Sequence, residues 1–485
     1  MDASAPTALE LAAALRRGEV SAVEVTEQAL ARAERLDARL GLFVTRTPQR
    51  ALAQAAAADV ALAAARRDGT PTPPLLGVPC PVKDLARVAG VPCSLGSRAF
   101  DGYVPEVDDG VVTLLREAGT VLLGTTTTPE LGLPCYTEPD VAPPARTPWD
   151  LRRGAGGSSG GAACTVAAGV APVAHGSDGG GSIRIPASAC GVVGLKPTRG
   201  RVSPGPHGVD LGGLAVHGSL AGTVADAAAL LDVLARPWPG DGALLPAPVG
   251  TFVEATRREP GRLRVGVLLE PVITADAVVH PACAEATLST AALLADLGHE
   301  VVEVGTPFPA QRWESFAAIW ASLAAAAPVP PDREHLLRPL TAWLRERGRA
   351  TSAVEYLAAS AAVQEVTRQV ALAWAHVDLV LSPTLADLPA PVGALRDDDD
   401  PAGDFAAQTR FTPWTSVWNL TGRPAISLPL HWHDEDGVML PVGVMLGARF
   451  GEEQLLLSLA ASLERARPWR HHHAALAARL VDSAP

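Results

Sequence analysis

Residues 177–203 read SDGGGSIRIPASACGVVGLKPTRGRVS, and shortly upstream residues 154–164 read GAGGSSGGAAC. In the first stretch three glycines, Gly179, Gly180 and Gly181, lead directly into Ser182. Their N–H groups are unobstructed by side chains and can converge on an oxyanion developing beside the serine hydroxyl. Taken alone, a glycine turn between two strands explains this loop equally well. The upstream loop satisfies G-x-S-x-G in two frames, but a nucleophile elbow requires an apolar strand directly before it, and the chain offers TPWDLRRGA (147–155). A phosphate loop requires Gly-Lys-Ser/Thr, whereas the nearby lysine is followed by proline in GLKPT (194–198). A plain linker would not run straight into an apolar helical pattern. Both loops read as places of close backbone approach.

Outward from these loops, the pattern alternates. ACTVAAGVAPVAH (163–175) predicts a helix then a strand, VVTLLREAG and TVLLG (111–124) the same, and AGTVADAAALLDVLA, RLRVGVLL, ATLSTAALLADLG and HEVVEVG continue it to 305. This is the signature of an α/β fold with a large mixed sheet and crossover helices. Residues 8–37 predict two helices broken at Gly18–Ser21, and 49–67 a third. GTPTPPLLG (69–77) then delivers the chain into VPCPV and Lys83-Asp84, placing Lys83 at a strand end. Residues 305–375 predict a helical layer. VDLVLSP, PAISLPL and VGVMLG predict late strands, and the acidic run in GALRDDDDPAGD (393–404) reads as a solvated loop. The expected organisation is one domain over 1–485: a helical clasp (1–70), a catalytic core (71–235), a substrate-side layer (236–375) and a return to the core sheet (376–470).

Composition narrows the function. A net charge of −12 with no Lys/Arg cluster argues against nucleic acid and suits a small neutral or cationic substrate. The six cysteines are spread singly, without zinc-site spacing, and read as reduced buried thiols. Met1–Arg17 lacks the pattern of a secretory leader and no stretch reaches the roughly 18 apolar residues of a membrane span, so a cytoplasmic enzyme without membrane contact is the expectation. Of 40 basic residues only Lys83 and Lys196 are lysines. Arginine keeps its charge at any working pH, whereas a buried lysine can become a neutral amine, so a surviving lysine is a candidate proton acceptor.

Taken in order, GVPCPVKD (77–84), GGSSGG (156–161), the 177–203 stretch, VDLVLSPTL, NLTGRPAISLPL and LPVGVMLG resemble the amidase signature family. The resemblance covers most of the chain and is weakest over 235–375. It implies a Ser-Ser-Lys triad: Ser182 as nucleophile, Ser158, the serine preceded by a cis peptide bond, as proton shuttle, and Lys83 as base. It also implies an oxyanion hole from the N–H groups of Gly179, Gly180, Gly181 and Ser182, and no metal or cofactor. Ser177, Gly179 and Ala162 depart mildly from the family pattern without touching the triad. For Lys83 to act as base, a pKa near ~10.4 must fall by about three units, or roughly 4 kcal/mol of differential solvation.

Asp178 and Arg184 flank the loop and are expected to hold its backbone, with an Arg184 contact to substrate as the other option. Lys196 reads as structural. His431, His433 and the run His471–His473 lack a companion carboxylate pattern and read as surface residues. Trp313, Trp320, Trp414 and Trp418 are the candidates for an apolar substrate pocket, with core packing as the competing reading for each of them. Within the family the chain is similar to amidases acting on nylon-type cyclic dimers, anilides and carbamates, and lacks the serine-rich continuation of tRNA-dependent amidotransferase subunits. The expected substrate is a small amide or carbamate, and a homodimer is a family-level expectation. The alternatives are a His-dependent esterase of α/β-hydrolase type, a glutamine-amidotransferase subunit and a catalytically dead binding module.

Overall fold

The computed structural model describes residues 6–209, 211–242 and 245–482. Among the described residues eleven strands are formed: β1 (Phe43–Arg46), β2 (Val82–Lys83), β3 (Gly124–Thr126), β4 (Val173–Asp178), β5 (Val193–Lys196), β6 (Val216–Ala221), β7 (Arg264–Val267), β8 (Glu300–Glu303), β9 (Leu379–Pro383), β10 (Ala425–Glu435) and β11 (Val438–Ala448). Eight of them build one mixed sheet in the order β4-β6-β5-β10-β11-β9-β7-β8, parallel at β9-β7-β8 and antiparallel elsewhere. A small sheet, β1-β3-β2, stands apart from it and carries Lys83. Helices cover the large sheet, as the alternation predicts.

Local chemistry explains the joints. The β10–β11 hairpin closes on Asp436-Gly437, both with positive φ (52° and 81°), the two-residue turn whose twist matches antiparallel strands. Thr7 with Glu10 and Ser21 with Glu24 form capping boxes that start the helices Ala8–Arg17 and Ala22–Leu40, and Gly18, at φ 74°, ends the first. The stretch VPCPV yields only a two-residue strand, because Pro79 and Pro81 have no N–H to give to a ladder.

Residues 305–375 are helical, in Glu314–Ala326, Pro339–Ala350 and Ala353–Ala373. The acidic run 397–400 is the exposed loop expected of it, and its carboxylates also serve the structure. Asp397 accepts the amides of Asp399 and Asp400, Asp400 caps the helix Pro401–Phe411, and Asp398 pairs with Arg338 at 3.0 Å. The carboxylates therefore build a helix start and fasten it to the helical layer. No helix among the described residues is long and apolar enough to cross a membrane. All six cysteines are free and buried.

Candidate active site

Three separate segments meet at one point. Lys83 ends β2, is fully buried, and places Nζ 2.7 Å from Ser158 Oγ and 3.2 Å from the Ser177 carbonyl. Ser158 follows a cis Gly157–Ser158 peptide and precedes the helix Gly160–Ala167, every residue of which is buried. Ser182 lies between β4 and the helix Arg184–Cys190, and the two loops are stitched together by the Ser159 amide donating to the Ser182 carbonyl at 3.1 Å. Burial disfavours the Lys83 ammonium; Asp178 opposes this only in part, and the pKa comes down to about 7. An amine in that range is substantially neutral at physiological pH and able to take a proton.

Asp178 and Arg184 form a rack beneath the loop. The carboxylate accepts the amides of Gly181 at 2.7 Å and Ile183 at 3.1 Å, and the guanidinium grips it with two bonds of 2.9 Å, neither side chain reaching solvent. Burial alone would raise the Asp178 pKa, but the charge and hydrogen bonds of Arg184 win and hold it at about 2. Asn419 Nδ2 adds a bond to the same carboxylate at 2.9 Å, and Arg184 Nη1 donates to the Thr415 carbonyl at 2.7 Å. Arg184 is thus committed to the rack and has no face toward a substrate.

This geometry corrects one expectation. The Gly181 N–H is spent on Asp178 and is not free for an oxyanion; among the described residues, the amides of Gly179, Gly180 and Ser182 are the loop donors without a protein acceptor. Gly181 contributes its lack of a side chain instead. At φ 135° it is in a region closed to L residues, and a Cβ there would meet Thr415 Oγ1 at 2.6 Å.

The cleft above Gly180 and Ser182 is walled by Trp313, Phe316, Trp320, Phe405, Ile185 and Ile273, with Gln408, Thr409, Thr412 and Ser416 as its polar groups. Among the described residues, no Asp, Glu, Lys or Arg lines it. Phe316 and Trp320 are four apart on the helix Glu314–Ala326 and stack at 5.3 Å, Trp313 stacks on Phe316 at 5.2 Å, and Phe405 closes the row 5.9 Å from Trp313. Trp313 and Trp320 are where the sequence reading places them. Trp414 and Trp418 are not. Trp414 is 1% exposed with its indole N–H on the Glu270 carbonyl, and Trp418, 2% exposed, stacks on Trp374 in the core. Both belong to packing.

Sequence reasoning missed Phe316 and Phe405, although the 313-316-320 spacing is a helical face. It also missed His175 and His217. The Lys83 N–H donates to His175 Nδ1 at 3.4 Å, and His175 Nε2 faces His217 Nδ1 at 3.0 Å. Burial keeps both rings neutral, His175 well below its usual pKa and His217 lowered to about 4, so they add no charge beside the lysine. Lys196 is buried in β5 with Nζ on the Pro197 carbonyl at 3.0 Å, and burial followed by Arg184 drives its pKa well down. The 471–473 run is no plain surface feature either: His472 stacks on Trp432 at 4.0 Å and His473 bonds the Gly191 carbonyl at 2.6 Å.

The sequence profile of the Amidase family matches residues 24–457. The chain belongs to the amidase signature family. It is 39% identical over 460 residues to the putative amidase AmiB2 of Mycobacterium tuberculosis, covering 94% of this chain and 95% of that one. It is 36% identical over 481 residues to the 6-aminohexanoate-cyclic-dimer hydrolase of Pseudomonas sp. strain NK87, covering 94% and 93%. A solved 6-aminohexanoate cyclic dimer hydrolase with substrate superposes at TM-score 0.87 with 32% identity, over 97% of this chain and 99% of that one. A bacterial aryl acylamidase of the amidase signature family superposes at 0.86 with 26% identity, over 98% and 99%. As a family member, the protein is an amidohydrolase acting on carbon–nitrogen bonds.

Proposed function

We propose that the protein hydrolyses small neutral amides through an acyl-enzyme on Ser182, with Ser158 and Lys83 as its proton relay. The observation that carries this reading is the fully buried Lys83 amine 2.7 Å from Ser158 Oγ with its pKa brought to about 7. Ser182 Oγ attacks the carbonyl carbon while its proton passes to Ser158 and the Ser158 proton to Lys83. The amides of Gly179, Gly180 and Ser182 receive the oxyanion. Collapse of the tetrahedral adduct breaks the C–N bond, the relay returns the proton to the departing nitrogen, and water releases the acid by the same path.

The aromatic, uncharged cleft favours anilides, cyclic lactam dimers, apolar linear amides or aryl carbamates, and the resemblance to a cyclic-dimer hydrolase and an aryl acylamidase agrees with that class. Glutamine is disfavoured, because its ammonium and carboxylate would enter a cleft in which, among the described residues, no charged side chain meets them. A His-dependent esterase is disfavoured because, among the described residues, no histidine lines the cleft. Turnover of such a panel, with mass spectrometry of Ser182 after rapid quenching, tests the reading. An acyl adduct on Ser182 is expected in the wild type, and wild-type turnover by Ser182→Ala would sink it.

A further inference from the structure

Away from the catalytic cleft, His280, His433 and Glu435 bring three potential ligand atoms within 4.8 Å of one another. In the sequence His433 has no companion in a recognisable pattern; the fold supplies two. His433 and Glu435 are two residues apart on β10 and project from one face of the strand, with His433 Nε2 3.2 Å from Glu435 Oε2. His280 is the N-cap of the helix Pro281–Asp296, and its ring lies 5.5 Å from that of His433, centroid to centroid.

We propose that these three side chains form a binding site for a borderline divalent transition metal, zinc by chemical preference, with a further position left to water. Two imidazoles and one carboxylate are ligands of zinc, copper, nickel or iron rather than of magnesium or calcium, which take oxygens. Zinc bonds of about 2.0–2.1 Å set tetrahedral ligands roughly 3.3 Å apart, and the His433–Glu435 pair already stands near that spacing. Glu435 Oε1 faces Arg153 at 3.8 Å, which orients the carboxylate and leaves Oε2 as a single ligand atom. All three residues are half-buried, so a metal would be partly shielded and still reachable.

Binding has a local cost. His280 Nδ1 accepts the Ala282 amide at 3.2 Å, which puts the ring proton on Nε2. A metal either replaces the amide at Nδ1 or takes Nε2 after the proton moves to Nδ1, and the cap is given up in both cases. In return it joins three elements. The His280 amide donates to the Ala386 carbonyl at 2.7 Å, and the segment after Ala386 is held by Arg153 on the Pro389 carbonyl at 2.8 Å. A bound metal ties that segment, the helix Pro281–Asp296 and the β10–β11 hairpin into one clamp.

Metal-stripped full-length protein is titrated with Co2+, followed by visible absorption, and then with Zn2+ by calorimetry and thermal unfolding. The expected result is one Co2+ per chain with the absorption of a four-coordinate nitrogen/oxygen site, displacement by Zn2+, and a rise in Tm of about 3 °C at a hundredfold excess of Zn2+ over Kd. Glu435→Gln, nearly isosteric, weakens Zn2+ at least tenfold, and His433→Ala abolishes the site while amide turnover confirms that both variants are folded. His471→Ala leaves binding unchanged, which separates the site from the 471–473 run. Failure of the wild type to bind Zn2+, retention of full affinity in both Glu435→Gln and His433→Ala, or loss of binding in His471→Ala overturns the proposal.

Discussion

At the scale of single residues, Lys83 and Asp178 show burial acting with opposite results. Desolvation pushes both toward neutrality, but Lys83 has no adjacent carboxylate strong enough to resist, whereas Asp178 is clamped by Arg184. The first is left substantially neutral, as the proposed base must be, and the second is held as a fixed charge. Lys83→Arg is therefore expected to be as inactive as Lys83→Ala, with kcat/KM down by at least about 10²–10⁴. Turnover by the arginine variant above that of the alanine variant would refute the relay. In the wild type, kcat/KM should rise with pH through about 7 and level off above it, as Lys83 loses its proton.

The same shift is a stability statement. A lysine whose folded pKa is depressed costs stability at every pH below it, and the cost fades as pH rises from about 7 toward 10.5. Lys83→Met should accordingly raise the unfolding free energy at pH 7, read by denaturant titration, by on the order of 5 kcal/mol at most, while abolishing activity. Asp178 works the other way: its stabilisation is present above pH 3.8 and is lost as pH falls toward 2. Asp178→Asn leaves Arg184 as a buried charge without its counter-ion, and an unfolding free energy lower by about 3–5 kcal/mol is expected from denaturant titration.

At the scale of elements, the helix Glu314–Ala326 and the segment before it supply Trp313, Phe316 and Trp320 to the wall of the cleft, and the helix Pro401–Phe411 adds Phe405 to the same row. Phe316→Ala and Trp320→Ala should raise KM for an anilide roughly 10–100-fold, with a smaller effect on kcat, because each removes apolar contact area without touching the relay. An equal loss for anilides and acetamide-sized substrates in steady-state assays would show that these rings only support the loop. Trp418→Ala makes the contrast: it opens the core where Trp418 stacks on Trp374, so unfolding should become easier by about 3–5 kcal/mol while substrate preference stays the same. In sequence a tryptophan that lines a cleft and one that fills a core look alike, which is why Trp313 and Trp320 stand beside Trp414 and Trp418 as candidates until the fold separates them.

At the scale of the whole molecule, the proposed relay depends on joining two sheets. Lys83 comes from the small sheet, Ser158 from the start of a buried helix and Ser182 from the end of β4 in the large sheet. The buried, singly spread thiols follow from the same large core. Native protein should give no fast reaction with Ellman's reagent, and unfolding in guanidinium should release all six thiols.

The alternating pattern, the glycine loops and the two lysines were legible in the chain itself, because periodicity, backbone freedom and side-chain chemistry are local properties. They yielded the α/β class and marked Lys83 and the two glycine–serine loops, whereas the grouping of Lys83 with Ser158 and Ser182 is what the resemblance to the amidase signature family implies; the fold sets Lys83 Nζ 2.7 Å from Ser158 Oγ and stitches the two loops together. Only the tertiary structure decided which tryptophans face the cleft, that the Gly181 amide belongs to Asp178, that a histidine pair backs Lys83, and that His280 meets His433 and Glu435. Each of these depends on groups distant in sequence being brought within hydrogen-bonding or packing range, and no local preference encodes such a distance.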